Sequence, residues 1–259
     1  MLNFNSTCYL LVLITVTQTL PLIIKTQPDL SDLELKSNYF EGDMILNTDQ
    51  KQQLEYFKNF QKPGPRNALV DSKYFWPNKV VLYHIATRTQ VDVIEEAMSQ
   101  ISSQTCLQFQ RAPASAIAYV LIKTNYNGGC NAAVGFQGRE QFVSLHATCV
   151  RIGTVIHELL HTLGLYHEQS ASDRDLYIRV RLENVLQGKE HNFAKYPAGF
   201  VSNYGVGYDY ESIMHYGSKA FSRNGLDTIE PLQTGTVRIG QRQYLSAKDA
   251  MKVRKMYKC

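Results

Sequence analysis

The string HELLHTLGLYHE at positions 157–168 constrains this chain more than any other feature of its sequence. Residues four apart on an α-helix lie on one face, so a helix through this string presents His157 and His161 side by side. Gly164 adopts a positive φ at little cost, which ends the helix sharply and lets the chain turn back. That turn brings His167 toward the two helical imidazoles.

Three imidazoles form the ligand set of a catalytic zinc site, which keeps one or two coordination positions open. The sequence therefore predicts one Zn²⁺ per chain, bound by His157, His161 and His167, because imidazole nitrogens suit this ion. Glu158 lies beside the ligand face and is predicted to act as general base rather than as a ligand. Bound zinc lowers the pKa of water to about 7 and polarises a substrate carbonyl, so the arrangement predicts hydrolysis.

The N-terminal run from Cys8 to Ile24 contains no charged residue. It is typical of the apolar region of a secretory signal, and we predict a signal peptide at 1–24 whose cleavage site is undefined. The alternative is a membrane-anchoring helix. Pro21 and the length of the run disfavour it, because a spanning helix needs about 20 apolar residues. We therefore expect a secreted, extracellular protein without a membrane anchor.

The cysteines fit an oxidising compartment. Cys8 lies within the predicted signal, which leaves Cys106, Cys130, Cys149 and Cys259. An even number of cysteines without metal-ligand spacing predicts two disulfides, and the residues themselves allow three pairings.

The charge of the chain excludes one class of partner. The formal net charge is +4, and no run of Lys or Arg occurs. A nucleic-acid-binding protein usually carries a concentrated basic surface, so we predict no nucleic-acid partner.

Residues 25–66 are polar and end in the sequence KPGPR at 62–66, which predicts an exposed, extended linker. We predict that 25–66 is a propeptide, only partly structured, and that cleavage falls between Arg66 and Asn67. Exposed linkers of this kind are frequent sites of proteolysis. A trypsin-like protease would suit the basic residue as activator. The remaining segment, 67–259, is predicted to be the protease domain.

Segments typical of strands and helices are interspersed along the first half of that domain. The pattern predicts strands at 80–85, 117–122 and 142–145, and helices that begin at Thr89 and span 154–163. Asp92 is placed to form a capping box with Thr89. Beyond Gly164 the pattern gives way to loops, with a short helix near 247–257. This order predicts an α+β domain: a mixed sheet and the zinc helix in the N-terminal half, a loop-rich C-terminal half, and a cleft between them.

The string at 157–168 also fits the pattern H-E-x-x-H-x-x-G-x-x-H, the signature of metzincin proteases. Further along, the sequence SIMHY at 212–216 resembles the methionine turn of those enzymes. With Glu168 directly after the third histidine, and with the placement of the cysteines, residues 40–259 resemble the astacin family. The resemblance implies a metzincin-type fold and a monomeric zinc endopeptidase that acts on protein or peptide substrates.

The resemblance implies roles for further residues. Tyr216 would be an extra zinc ligand in the resting enzyme and would hydrogen-bond the oxyanion during the reaction. Met214 would support the metal site by packing beneath it. The disulfides would be Cys106–Cys259 and Cys130–Cys149.

The sequence FEGD at 40–43 resembles the propeptide motif of the family. By that resemblance, Asp43 would bind the zinc in the zymogen only and displace the catalytic water. The alternative for these four residues is a surface turn. After cleavage, the amino group of Asn67 would pair with Glu168, for which the alternative is a solvated carboxylate.

Two rival interpretations of the whole chain follow from the same residues. Another metzincin subfamily would usually lack both Glu168 and a tyrosine at position 216. A catalytically inactive binding protein with this fold would typically have lost Glu158 or a ligand histidine, and this chain keeps them. The residues favour an active protease of the astacin type.

Overall fold

The computed structural model of the chain describes residues 38–59, 68–87, 90–125, 129–197, 200–233 and 238–259. The α-helices within these ranges are α1 (Thr48–Asn59), α2 (Val91–Gln104), α3 (Ile152–Leu163) and α4 (Ala247–Met256). The strands are β1 (Met44–Ile45), β2 (Ala68–Leu69), β3 (Val80–Ile85), β4 (Gln108–Arg111), β5 (Val120–Asn125), β6 (Asn131–Ala133), β7 (Gln141–His146), β8 (Ile178–Val180), β9 (Val201–Ser202) and β10 (Ile229–Pro231).

The main sheet has the strand order β1-β6-β7-β5-β3-β4. Strand β3 pairs in parallel with β4 and β5, β5 pairs in parallel with β7, and β6 runs antiparallel to β7. Strand β1, from the predicted propeptide, pairs in parallel with β6 and covers its outer edge. The sheet is therefore mixed, which confirms the predicted α+β class.

Helix α3 is buried on every side. All of its residues from Gly153 to Leu163 are buried, including Leu159 and Leu160. A helix that is apolar around most of its circumference lies inside a protein rather than on its surface. Helix α2 packs against it through a buried stripe formed by Ile94, Ala97, Met98 and Ile101. The first part of the string at 157–168 therefore lies in the interior of the protein.

The C-terminal half has its own apolar cluster; one two-stranded sheet lies within this half, and another joins it to β2. Strand β10 pairs antiparallel with β8, and β9 pairs antiparallel with β2. The main-chain nitrogen of Leu69 also donates to the carbonyl of Gly164 at 3.0 Å. The first described residues after the predicted cleavage site therefore pack directly against the turn that follows α3.

Two disulfides are formed, Cys106–Cys259 and Cys130–Cys149. They are the pair that the astacin resemblance implies. The first joins cysteines 153 residues apart and fastens the end of α4 to the segment that leads into β4. The second connects the start of β6 with the segment before α3.

Several local expectations were wrong. Ile117 is 83% exposed, and β5 begins at Val120. Helix α2 begins at Val91 rather than at Thr89, and its N-cap is Gln90, which lies in the left-handed region without a side-chain cap. Within the predicted propeptide, the described segment 38–59 forms β1 and α1. These elements form because the segment packs on the rest of the chain, which its polar composition did not indicate.

Other expectations lie outside the described residues. They are the signal peptide at 1–24, the linker with Arg66 and Asn67, and the role of Thr89. In the ranges that the structure covers, every helix is too short or too polar to cross a bilayer.

Gly153, in the first turn of α3, touches the backbone of another segment. A Cβ atom added there would lie 2.0 Å from the carbonyl oxygen of Arg242. Backbone cannot yield as a flexible side chain does, so we expect Gly153→Ala to lower the free energy of unfolding by about 1 to 3 kcal/mol or more. Chemical denaturation of the purified chain would measure this.

The matched control is Gly207→Ala, because a Cβ atom there meets nothing within 4 Å. Its stability should stay within about 1 kcal/mol of the parent. Equal stabilities for the two variants would contradict the close approach of α3 to Arg242.

Candidate metal centre and active site

Two features of the turn after α3 require a glycine at position 164. Gly164 has a φ of 106°, and its main-chain nitrogen caps the helix by donating to the carbonyls of Leu160 and His161. A Cβ atom at this position would also lie 2.8 Å from the Met256 methyl group. The chain can therefore reverse tightly here, and His167 returns to the face that carries His157 and His161.

The Nε2 atoms of the three imidazoles converge. Those of His157 and His161 are 3.1 Å apart, and those of His157 and His167 are 3.4 Å apart. Asp43 joins them: its Oδ2 lies 3.2 Å from Nε2 of His157 and 3.3 Å from Nε2 of His167. All four side chains are buried, and their ligand atoms lie within 4.8 Å of one another. Three imidazoles and one carboxylate oxygen match the donors and the number that a tetrahedral zinc site uses.

The opposite nitrogen of each ring has its own partner. Nδ1 of His157 lies 2.8 Å from the carbonyl oxygen of Ile213, and Nδ1 of His161 lies 2.8 Å from that of Leu165. Nδ1 of His167 lies 2.8 Å from Oε2 of Glu41. Carbonyl and carboxylate oxygens only accept, so this network assigns a proton to Nδ1 of each ring and turns each Nε2 toward the centre.

Burial and charge set the protonation of these groups. Burial lowers the pKa of His157 and of His161, which favours neutral rings ready to ligate a metal. Burial also acts on His167, but the carboxylates of Asp43 and Glu41 raise its pKa to about 9. Burial would raise the pKa of Asp43, yet the adjacent imidazoles hold it well below its usual value. An ionised carboxylate in this dry site needs positive charge beside it, which a divalent cation supplies.

Glu158, Met214 and Tyr216 are the other residues expected to act at this centre. Glu158 follows His157 on α3 and is fully buried, as is Met214. The carbonyl of Met214 accepts from the main-chain nitrogen of Glu168 at 3.0 Å, which joins the SIMHY segment to the residue after the third histidine. The Tyr216 hydroxyl donates to the backbone carbonyl of Glu41 at 2.5 Å, and its ring centroid lies 4.7 Å from that of His167.

Helix α4 supports the SIMHY segment through Asp249, a residue that sequence reasoning missed. Its two carboxylate oxygens accept from the Ser212 hydroxyl at 2.7 Å and from the Ile213 main-chain nitrogen at 2.8 Å. Ile213 is also the residue whose carbonyl orients His157. The only sequence signal was the spacing Ser246-x-x-Asp249, which resembles a helix cap rather than a support for another segment.

Glu168 is a buried charge rather than a solvated one. Its Oε2 lies 2.7 Å from the Lys252 ammonium on α4, and its Oε1 accepts from the main-chain nitrogen of Asp209 at 3.0 Å. Both side chains of the ion pair are at most 2% exposed. No local pattern predicted Lys252 as a partner. The expected partner, the amino group of Asn67, lies outside the described residues.

The sequence model of the peptidase family described as Astacin matches residues 68–258. This chain belongs to the astacin family. Its converging histidines are thus those of a zinc metalloendopeptidase of the astacin type, and zinc is its cofactor.

Two named proteins are similar in sequence to most of this chain. Zinc metalloproteinase nas-4 of Caenorhabditis elegans is 37% identical over 246 residues, which cover 93% of this chain and 74% of that protein. Protein SpAN of Strongylocentrotus purpuratus is 38% identical over 252 residues, which cover 93% of this chain and only 41% of SpAN. This astacin-family chain therefore spans less than half the length of some relatives.

The fold of this chain also resembles that of a solved structure. It is the high choriolytic enzyme 1, a hatching enzyme zinc-protease from the medaka fish Oryzias latipes, at 36% identity and a TM-score of 0.68. The alignment covers 74% of this chain and all of the medaka chain.

We expect the buried ion pair of Glu168 and Lys252 to affect the stability of the chain. Substituting Lys252→Met leaves a buried carboxylate without its counter-charge, so the free energy of unfolding should fall by about 3 to 5 kcal/mol. Adding Glu168→Gln to that variant removes the uncompensated charge and should restore part of the loss. Denaturant unfolding of the single and double variants would measure the coupling.

Lys255→Met is the matched control, because Lys255 lies on the same helix and is exposed. It should change stability by less than about 0.5 kcal/mol. Strictly additive effects of the two substitutions would mean that the ion pair contributes no coupling.

Proposed function

We propose that this chain is a secreted endopeptidase, made as a zymogen, in which Glu158 is the general base and residue Asp43 blocks the metal before activation. The observation that carries the proposal is the convergence of three imidazole Nε2 atoms with the carboxylate of Asp43.

The residues have separate tasks in this mechanism. His157, His161 and His167 hold a zinc ion, which when bound supplies a nucleophilic water and polarises the substrate carbonyl. Glu158 takes a proton from the attacking water and delivers it to the leaving amine. Its position beside His157 on a buried helix supports this, because a carboxylate there is screened from bulk water.

Tyr216 would stabilise the reaction by donating its hydroxyl to the oxygen that becomes negative. In the precursor the same hydroxyl donates to the carbonyl of Glu41. Tyr216 would therefore be a zinc ligand or an oxyanion donor only after the N-terminal segment leaves. Met214 would support the ligands by packing, as its burial and its hydrogen bond to Glu168 suggest.

Inhibition by the N-terminal segment would act at two places. Asp43 takes a position among the zinc ligands and would displace the catalytic water. Strand β1 covers the edge of β6, where an extended substrate would add as a further strand. The segment would therefore block both the metal and the substrate groove.

Activation would follow cleavage between Arg66 and Asn67 by a trypsin-like protease. The new amino group of Asn67 would then join Glu168, which already bonds Lys252 and Asp209 in a buried site. Secretion is supported by the two disulfides and by the apolar run that precedes Lys25. We also propose that the substrates are proteins or peptides and that the enzyme is a monomer.

The role of Glu158 is tested by Glu158→Gln in the activated chain, with Glu96→Gln on the exposed face of α2 as control. The amide cannot accept the proton, so kcat should fall roughly 10²- to 10⁴-fold while the zinc content stays at one per chain. Hydrolysis of a denatured protein and metal analysis give the two readouts.

Undiminished hydrolysis by Glu158→Gln would exclude this glutamate as the base. A parent chain that binds no zinc and cleaves nothing would instead support the rival view of an inactive binding protein.

The blocking role of Asp43 is tested in the uncleaved chain. Asp43→Ala removes the carboxylate from the metal position, so this precursor should hydrolyse peptides or activate itself while the parent stays silent. Asp49→Ala on α1 is the control, since Asp49 is exposed in the same segment. An Asp43→Ala precursor as silent as the parent would refute the switch.

A further inference from the structure

The backbone of Tyr216 is held from both sides by buried side chains. Its main-chain nitrogen donates to Oε1 of Gln169 at 3.1 Å, and its carbonyl oxygen lies 2.7 Å from Nδ1 of His215. Gln169 and His215 are fully buried. Buried groups of this kind take their partners from the protein rather than from bulk water. The peptide groups on either side of the Tyr216 side chain are therefore fixed in place.

The orientation of the His215 ring depends in turn on Tyr208. A carbonyl oxygen only accepts, so Nδ1 of His215 carries a proton and donates it to the Tyr216 carbonyl. Burial favours the neutral ring, which leaves Nε2 as an acceptor. The Tyr208 hydroxyl lies 2.6 Å from this Nε2 and donates to it. Both nitrogens of the ring are thus engaged, and rotation of the ring would break both hydrogen bonds.

Tyr208 has a rigid position of its own. Its ring stacks on the Tyr177 ring, with centroids 4.6 Å apart and planes 5° from parallel, and the Tyr210 ring packs edge-on at 5.4 Å. The carbonyl of Tyr208 also accepts from the Lys248 ammonium at 2.7 Å. The hydroxyl that orients His215 is therefore positioned by residues outside the group of three histidines.

A fixed backbone matters because the Tyr216 side chain has to change partners. In the precursor its hydroxyl donates to the carbonyl of Glu41, and in the proposed mechanism it donates to the oxyanion. A donor of this kind is effective only when it is already aligned with the oxygen that becomes negative. With the backbone fixed, only the side-chain torsions change, so the hydroxyl can leave Glu41 and reach the same point in every catalytic cycle.

We propose that Tyr208 and Gln169 are positioning residues for Tyr216: Tyr208 acts through His215 on the carbonyl, Gln169 acts on the amide, and together they align the hydroxyl with the oxyanion. The proposal rests on the proposed function, which makes Tyr216 the oxyanion donor. It deepens that function by assigning the residues that hold this donor in place.

The first test is a double-mutant cycle in the full chain activated by a trypsin-like protease. Tyr208→Phe keeps the stacked ring but removes the donor to His215. We expect kcat on a short peptide to fall roughly ten-fold while KM and zinc content stay at the parent values, since an oxyanion donor acts only in the transition state. In a Tyr216→Phe background the same substitution should change kcat by less than about two-fold.

Tyr210→Phe is the matched control. The Tyr210 hydroxyl belongs to the same cluster of rings but donates to the carbonyl of Tyr177. This variant should keep kcat within about two-fold of the parent. Gln169→Met is a second variant that removes the acceptor for the Tyr216 amide, and its loss of kcat should likewise vanish in the Tyr216→Phe background. Thermal unfolding of each variant checks that the fold is kept.

The second test needs no turnover. A peptide whose scissile amide is replaced by a phosphinate imitates the tetrahedral intermediate, and the unmodified peptide imitates the ground state. We expect Tyr208→Phe to weaken binding of the phosphinate roughly ten-fold. In the Glu158→Gln chain, the same substitution should leave binding of the unmodified peptide unchanged. Fluorescence titration measures both affinities.

The outcomes separate the two proposals. Parent-like kcat in Tyr208→Phe, an equal loss in Tyr210→Phe, or a loss that persists in the Tyr216→Phe background would overturn the positioning role alone. A Tyr216→Phe chain with the kcat of the parent would refute the oxyanion role in the proposed function, and the positioning role with it. Weaker binding of the phosphinate and of the unmodified peptide alike would mean that Tyr208 only maintains the fold.

Discussion

The structure depends on three hydrogen bonds that hold the imidazoles with Nε2 inward. Two of them end on the main-chain carbonyls of Ile213 and Leu165, and the third ends on the carboxylate of Glu41. Helix α3 is buried, so water cannot orient the rings of His157 and His161, and the protein must supply every acceptor. A ring with its proton on Nε2 could not bind a metal through that nitrogen. The segments that pack around α3 bring these three acceptors into place.

The C-terminal helix is part of the same support. Asp249 on α4 holds the Ser212–Ile213 backbone, and Lys252 neutralises Glu168 next to the third ligand. One turn of α4 therefore acts on both sides of the metal centre. The disulfide from Cys106 to Cys259 fastens the segment that follows that helix to the segment before β4.

Much of the centre was predictable because its spacing is local. His157 and His161 lie one helical turn apart, and Gly164 ends that turn, so the backbone geometry of α3 alone brings two rings together. The order of apolar segments predicted the α+β class. It did not predict that Ile117 is exposed or that α2 begins at Val91. Those boundaries depend on which residues meet the core, and periodicity alone does not locate the core.

The sequence by itself determined the ligand string, the glycine turn and the even set of cysteines, because each is set by neighbours along the chain. Only the tertiary structure decided the partners of those groups. Glu41 meets His167 across 126 residues and Tyr196 across 155, and Lys252 meets Glu168 across 84. Such pairs form where separate elements pack together, and no repeat or spacing in the sequence marks them. Burial then makes them specific, since a charge or donor removed from water must find its partner within the fold.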